Sequence, residues 1–186
     1  MKKILLNVCC APDATHSINV LREEGFYVIT FFYNPNIYPE EEYKVRFNDM
    51  IKLSKEMQIE NITDVPYDID EWKRRCDMWA AEKEGGKRCV ECFKLRLEKT
   101  AQKTKELGID IFATTLTISP HKNADLINKL GKEIAVTYGI KYYESNFKKK
   151  DGFKKSIELS KKYKLYRQNY CGCIYSKRKE DKDVRY

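Results

Sequence analysis

Six of the seven cysteines in this 186-residue chain fall in three close pairs, Cys9/Cys10, Cys89/Cys92 and Cys171/Cys173. In a reducing compartment such pairs hold metals or carry redox chemistry rather than forming a disulfide framework. Cys89-Val-Glu-Cys92 lets two thiolates reach one centre from the start of a helix, where the helix dipole and Arg88 are expected to lower the thiol pKa values. Cys171-Gly-Cys173 puts two more thiols on a tight glycine turn. Adjacent side chains diverge, so Cys9 and Cys10 are expected to face two neighbouring centres rather than to chelate one ion. A structural zinc and a [4Fe–4S] cluster each take four ligands, and Cys89, Cys92, Cys171 and Cys173 supply that number. Six cysteines with Asp13 close by exceed either need, which points to a cluster with a second metal alongside. A dithiol redox pair is the third reading, and the Arg88-Cys89 context is not thioredoxin-like. Lone Cys76, between Trp72 and Trp79, reads as a small buried hydrophobe.

These groups must be positioned by the elements around them. Lys3-Ile-Leu-Leu-Asn-Val-Cys-Cys-Ala-Pro-Asp13 is an apolar strand that stops at the first two thiols, with Pro12 and Asp13 opening a helix. Helical periodicity or helix stops mark 14–24, 40–57, a stretch through Trp72, Cys76 and Trp79, 89–107, 124–138 and 153–162. Strand character marks 27–32, 62–66 more weakly, 109–115 and 140–143, and the prolines and asparagines of 33–39 make a structured loop. Strands alternating with helices predict an α/β fold, a parallel sheet with right-handed crossovers and helices on its faces. With no internal repeat or low-complexity linker, residues 1–186 read as a single domain with a basic helical C-terminal segment, 147–186, packed on it. The unusual polar stretches 9–13, 33–38, 67–68, 114–122 and 145–155 all follow strands, so they are expected to gather on one rim of the sheet.

Composition narrows the partners. The 36 Lys and Arg residues against 28 Asp and Glu leave a net charge of +8, which suits a polyanion such as nucleic acid. No apolar run approaches the roughly 18–20 residues of a membrane span. The opening Met-Lys-Lys-Ile-Leu-Leu is shorter than the roughly 7–15 apolar residues of a secretion signal, and no small-residue cleavage site follows it. A cytoplasmic protein with no membrane partner is expected.

Taken together, seven blocks resemble one family. They are Cys9-Cys-Ala-Pro12, Phe31-Phe-Tyr-Asn-Pro-Asn-Ile37, Glu42-Tyr43 with Arg46, Arg88-Cys-Val-Glu-Cys-Phe-Lys-Leu-Arg-Leu97, Thr114-Thr-Leu-Thr-Ile-Ser-Pro-His-Lys122, Phe147-Lys-Lys-Lys-Asp-Gly152 and Tyr166-Arg-Gln-Asn-Tyr-Cys-Gly-Cys173. Their types and order are similar to the QueH-type epoxyqueuosine reductases, the cobalamin-independent enzymes that end queuosine biosynthesis. The resemblance implies a Rossmann-like domain of the HUP type, a [4Fe–4S] cluster and one additional iron ion. It implies reductive removal of the epoxide oxygen from epoxyqueuosine at the tRNA wobble position. The partners implied are tRNA carrying epoxyqueuosine in its anticodon and an external electron donor, and a monomer is compatible with this. One departure stands out: many members resemble Cys-Cys-x-Pro-Cys, whereas the last position here is Asp13. An oxygen ligand is harder than a thiolate and suits an iron that also binds substrate oxygen.

On this reading Cys10, Cys89, Cys92 and one of Cys171/Cys173 hold the cluster, while Cys9, Asp13 and the other member of that pair hold the iron. Asp13, Tyr33, Tyr67 and His121 are candidate proton donors, with Cys9, Asp13 and Tyr33 the catalytic assignment; His16 reads as structural. Lys148, Lys149, Lys150, Lys154, Lys155, Lys161, Lys162, Arg167, Lys177, Arg178 and Lys179 form a basic C-terminal third able to neutralise phosphates, with Lys161 and Lys162 read as a solvated helix face. Tyr33, Tyr38, Tyr166 and Tyr170 are candidates to stack on a splayed base. Two other classes compete: a tRNA sulfur-transfer or adenylating enzyme of the same broad fold, and a zinc-stapled RNA-binding module. The first needs a Ser-Gly-Gly type phosphate loop after the first strand, where this chain has Cys-Cys-Ala-Pro-Asp.

Overall fold

A computed structural model describes residues 1–177; the expectations on Arg178 and Lys179 fall outside it. Five strands form one parallel sheet in the order β3-β2-β1-β4-β5: β1 (Lys2–Asn7), β2 (Phe26–Phe31), β3 (Glu60–Ile62), β4 (Ile111–Thr114) and β5 (Lys141–Tyr142). Among the described residues six α-helices accompany them: α1 (Ala11–Glu23), α2 (Glu40–Glu56), α3 (Ile69–Cys76), α4 (Lys87–Glu106), α5 (Ala124–Tyr138) and α6 (Gly152–Lys162). The α/β class and parallel sheet expected from the alternation are those observed, and α5 spans the residues its periodicity marks, closed by Gly139 in the left-handed region.

Both faces of the sheet are covered, so the buried part of β1 carries the continuous apolar run Ile4-Leu5-Leu6 rather than alternating with polar residues. Ile4, Leu6 and Val8 face the core under α1 and α2, while Leu5 faces the opposite core with Phe112, Leu97 and Ile127. The chain leaves β1 towards β2 on one side and reaches β4 on the other, so the crevice between the carboxyl ends of β1 and β4 is the topological switch point. Thr114 Oγ1 donates to Asn7 Oδ1 at 3.2 Å across that point, and both residues are fully buried.

Of the boundaries that differ from expectation, two have a clear physical cause. Helix α1 starts at Ala11 rather than at 14, with Cys10 as its extended N-cap, Pro12 in the first turn and Asp13 one residue further. This earlier start curls Asp13 back over Cys9. The third strand is Glu60–Ile62, ahead of the expected 62–66, because Val65 N–H bonds back to Thr63 O and Pro66 has no N–H to offer a ladder.

Helix α6 packs against α1, and from it the chain runs on to the last cysteine pair. A methyl group on Gly152 would meet the Phe147 carbonyl and the His16 ring. Gly152→Ala is therefore expected to push α6 off α1 and destabilise the fold by about 1–3 kcal/mol. Urea unfolding of the metal-free protein measures it.

Candidate metal centre

The strand-to-helix junction after β1 carries the first thiols to the switch point. Cys9 N–H donates to Thr115 Oγ1 at 3.1 Å, and that hydroxyl lies 3.3 Å from Cys9 Sγ, so the loop after β4 clamps the loop after β1. Cys9 Sγ lies 3.1 Å from Asp13 Oδ2 and 3.9 Å from Cys10 Sγ. Ligand atoms from Cys9, Cys10 and Asp13 all fall within 4.8 Å of one another. The two adjacent side chains thus converge, against the expectation that they diverge. The cause is the backbone: at Cys10 the chain passes from strand to helix, so the alternation of a continuing strand does not apply.

The other two pairs approach from opposite ends of the chain. Cys89 and Cys92 lie in the first turns of α4, with Cys89 Sγ accepting the Gly85 N–H at 3.2 Å. Cys92, Cys173, Cys89 and Cys9 share one apolar cluster beneath the rim, and the ionisation of Cys89 and Cys92 is opposed by both Cys171 and Cys173. A cavity of about 520 Å³ opens above them, with Cys9, Asp13, Cys171, Arg96, Lys122 and Arg167 in its wall. Six cysteines from three distant stretches therefore meet at one rim. Among the described residues, only Cys9, Cys10 and Asp13 are close enough together to grip a single ion. Four thiolates on the corners of an iron–sulfur cube stand farther apart than ligands around one ion, so the wider spacing of the other four suits a cluster.

Burial dominates the electrostatics. It pushes the Cys92 thiol up to about 12, and lone Cys76, fully buried as expected, up to about 12 as well. Cys89 is also raised by burial, contrary to the expected depression. Arg88 gives it little help because its guanidinium is turned away, donating to the carbonyls of Trp79, Ala80 and Glu82. Cys9 is the exception. A hydrogen bond with Cys10, with the Arg96 and Lys122 charges behind it, outweighs burial and holds Cys9 well below the ordinary thiol range, while Cys10 is driven well above it. Burial, then the Cys9 charge, raises the Asp13 carboxyl to about 8. Burial works against the Lys122 ammonium, but Cys171, Cys9 and Asp13 more than offset it and keep the charge on.

Not every residue singled out in the sequence reaches this cavity. The Tyr33 hydroxyl donates to Glu71 at 3.1 Å and Tyr67 donates to the Ile37 carbonyl, so both are engaged outside its wall. His121 and Tyr170 line it. Lys148 donates to the Ser119 and Lys122 carbonyls, a loop tie rather than a free phosphate contact, and Lys149, Lys150, Lys155 and His16 line a separate cleft.

Arg46 and Arg96 received no role from the sequence, yet both are buried at this rim. Arg46 pairs with Glu42 at 2.7 Å and donates to the Cys171 and Tyr170 carbonyls. Gly172 between the cysteines has φ +117, and a methyl group there would sit 3.0 Å from Arg46 Nη1. The signal available was the Cys92-x-x-x-Arg96 spacing, which puts a guanidinium one helical turn from a thiol.

Fold and site together define a parallel α/β protein with a thiol-rich group of residues at its switch point that could hold a metal. Among solved structures, a predicted subunit of a tRNA methyltransferase from Methanocaldococcus jannaschii shares the fold, with a TM-score of 0.57 at 16% identity over 87% of this chain and 75% of that one. The family model described as epoxyqueuosine reductase QueH matches residues 4–179, and the chain belongs to that family. Relatives so named include one from Streptococcus pyogenes, 41% identical over 97% of this chain and 72% of that protein. Another, from Thermotoga maritima, is 38% identical over 95% of this chain and 91% of that protein.

The pKa pattern has a direct readout in the metal-free protein. Cys9, held well below the ordinary thiol range, ionises ahead of Cys92, whose thiol is pushed up to about 12, so limiting iodoacetamide is expected to alkylate Cys9 first and Cys92 last, as read by peptide mass spectrometry. Asp13→Ala removes the neighbouring carboxyl without removing Arg96 or Lys122, and Cys9 is expected to remain the first site labelled.

Proposed function

We propose that this chain removes the epoxide oxygen of epoxyqueuosine in tRNA, giving the alkene of queuosine and one water. The observation that carries this reading is the convergence of Cys10 with Cys9 and Asp13, the latter two in the wall of a cavity shared with Cys171, in a chain whose family match covers residues 4–179. The reaction breaks both C–O bonds of the three-membered ring and takes up two electrons and two protons. The electrons come from an external donor.

The residues present fit a metal centre of the expected kind. They offer six thiols and a carboxylate around a partly apolar cavity, and a buried guanidinium nitrogen, Arg96 Nε, has no hydrogen-bond partner. A [4Fe–4S] cluster would be held by Cys89, Cys92 and ligands from the other two pairs, with Asp13 beside an additional iron. Cys9, packed with Cys89, Cys92 and Cys173 yet 3.1 Å from Asp13, is suited to serve both. When bound, such a centre supplies the electrons and a Lewis acid for the epoxide oxygen.

The protein's own groups do the rest. The cavity of about 520 Å³ is large enough to take a base flipped out of an anticodon loop. Lys122 brings a positive charge and N–H donors to the wall that Cys9 and Asp13 share, where the leaving oxygen is met. Arg167 stands at the same wall, positioned by a 3.4 Å contact to Ser160 Oγ and by the Phe153 ring, and is suited to a flanking phosphate. Of the tyrosines named for stacking, Tyr33 and Tyr170 are buried, whereas Tyr38 is 41% exposed beside the Cys171–Cys173 turn, where its N–H donates to Gly172 O. Among the described residues no helix is long and apolar enough to cross a membrane.

Anaerobic reconstitution with iron and sulfide, followed by nucleoside mass spectrometry on epoxyqueuosine tRNA, tests the reading. Cys89→Ala and Cys171→Ala are each expected to lose the absorbance near 400 nm and turnover together. Asp13→Ala is expected to keep the cluster while losing the extra iron and turnover. A colourless zinc protein that binds RNA without turnover would overturn the proposal. Tyr38→Ala is expected to raise KM about tenfold, from the roughly 1–3 kcal/mol of one base–aromatic stack, and to leave the iron content unchanged.

A further inference from the structure

We infer that Arg96 is the fixed counter-cation of the metal–thiolate centre and sets how readily that centre accepts an electron. The inference rests on the metal reading above.

Arg96 lies on α4 one helical turn beyond Cys92, so the two side chains share a face of the helix. It is 1% exposed, yet it contributes to the cavity wall that also holds Cys9 and Cys171. Its Nη2 donates to Asn34 Oδ1 at 2.6 Å, and its Nε has no hydrogen-bond partner. Asn34 is neutral and is itself held, donating to the Val8 carbonyl at 2.8 Å. No carboxylate forms an ion pair with Arg96 among the described residues. Three nearby acids on α3 and α4 are engaged elsewhere: Glu71 by Lys99, Glu91 by Lys94 and Glu98 by Arg75.

A guanidinium stays charged at any accessible pH, and a buried charge without an anion is costly. Removing one partner from a buried ion pair is strongly destabilising, which reflects the penalty of the orphaned state. Arg46 avoids that penalty through Glu42 and two carbonyls, and Arg88, whose Nε is also unpartnered, offsets it with three carbonyls. Arg96 does not, and the groups its charge acts on are thiols, Cys9 on one side and Cys92 on the other. A buried cation between two metal-ligating thiols is compensated once those thiols are thiolates. Each electron added to the centre makes it one unit more negative, and a fixed cation in a poorly screened interior favours that state. Arg96 is thus a positioning and tuning residue, acting through the centre rather than on the substrate.

The test compares the wild type, Arg96→Met and Arg96→Lys, each reconstituted anaerobically with iron and sulfide and titrated with dithionite while the reduced cluster is followed by electron paramagnetic resonance. Iron and sulfide in the wild type test the metal reading by itself, since a wild type without a cluster ends that reading before Arg96 is judged. Given a cluster, Arg96→Met is expected to shift the reduction equilibrium at least tenfold against the reduced form, about 59 mV for one electron. Arg96→Lys is expected to stay within about threefold of the wild type. In the metal-free proteins, urea midpoints are expected to show Arg96→Met no less stable than the wild type, because an unpaired buried charge has been removed. An unchanged potential in a fully loaded Arg96→Met protein overturns the inference. So does a metal-free Arg96→Met protein that fails to fold, since the cation would then be serving the fold. An Arg96→Lys potential displaced as far as that of Arg96→Met also overturns it, by assigning the effect to the Asn34 hydrogen bond.

Discussion

Thiols from positions 9–10, 89–92 and 171–173 have to meet on one rim, and buried arginines are what make the meeting possible. The turn before Cys89 and the turn at Cys171–Cys173 are each fastened by one of them, and a third ties α4 to the loop after β2. Arg88 gathers the carbonyls of Trp79, Ala80 and Glu82 and so fixes the turn that leads into α4. Arg46 reaches from α2 to the Tyr170 and Cys171 carbonyls, and Gly172 leaves room for it. Arg96 ties α4 to the loop after β2 through Asn34. A guanidinium suits this work because its donors are arranged in a rigid fork and its charge never titrates away, whereas a lysine would hold fewer carbonyls at once. The cost of burying it is offset by several hydrogen bonds at Arg46 and Arg88, and only in part at Arg96.

The same burial that holds the loops keeps most of the cysteines protonated before metal arrives. Raised thiols at Cys10, Cys89 and Cys92 mean that ligation must release protons, so assembly of the centre is favoured as pH rises. Cys9 departs from that pattern because of its hydrogen bond with Cys10, with Arg96, Lys122 and Thr115 adding to it. Asp13 keeps its proton to about pH 8, so ionisation of the pair falls first on the Cys9 sulfur. A site prepared in this way presents one thiolate to the first incoming metal.

Much of this was legible in the chain. The alternation of apolar runs with helical periodicity gave the parallel sheet, and the placement of polar stretches after strands gave the shared rim, since both follow from local pattern and from the geometry of βαβ units. The spacing of the cysteine pairs identified the thiols. What escaped was decided across the fold. The convergence of Cys9 and Cys10 depends on where α1 begins, the raised Cys89 pKa on where Arg88 points, and the roles of Arg46 and Arg96 on contacts 125 and 62 residues away in sequence. An arginine in a helical pattern reads as a solvated residue until its surroundings are known. The surroundings of Tyr33 and Tyr67, both named as candidate proton donors, were hidden for the same reason: their hydroxyls are engaged by Glu71 and the Ile37 carbonyl.

The junction after β1 explains how one fold can accommodate different chemistry at the same place. In an open parallel sheet, the helix that follows the first strand points its N-terminus, with its unsatisfied N–H groups, at the switch point, and such a terminus ordinarily favours a phosphate. Here the N-cap is Cys10, whose side chain makes no capping hydrogen bond, Pro12 withholds an N–H from the first turn, and Asp13 brings its own carboxyl to the place where an anion would sit. The positive end of the helix therefore faces Cys9, Cys10 and Asp13 rather than a bound phosphate. A metal held by thiolates and a carboxylate would be an anionic assembly, so the field that favours a phosphate at such a terminus would favour it too. Substituting three or four residues at a single strand end changes what the switch point binds while the sheet that presents it stays the same.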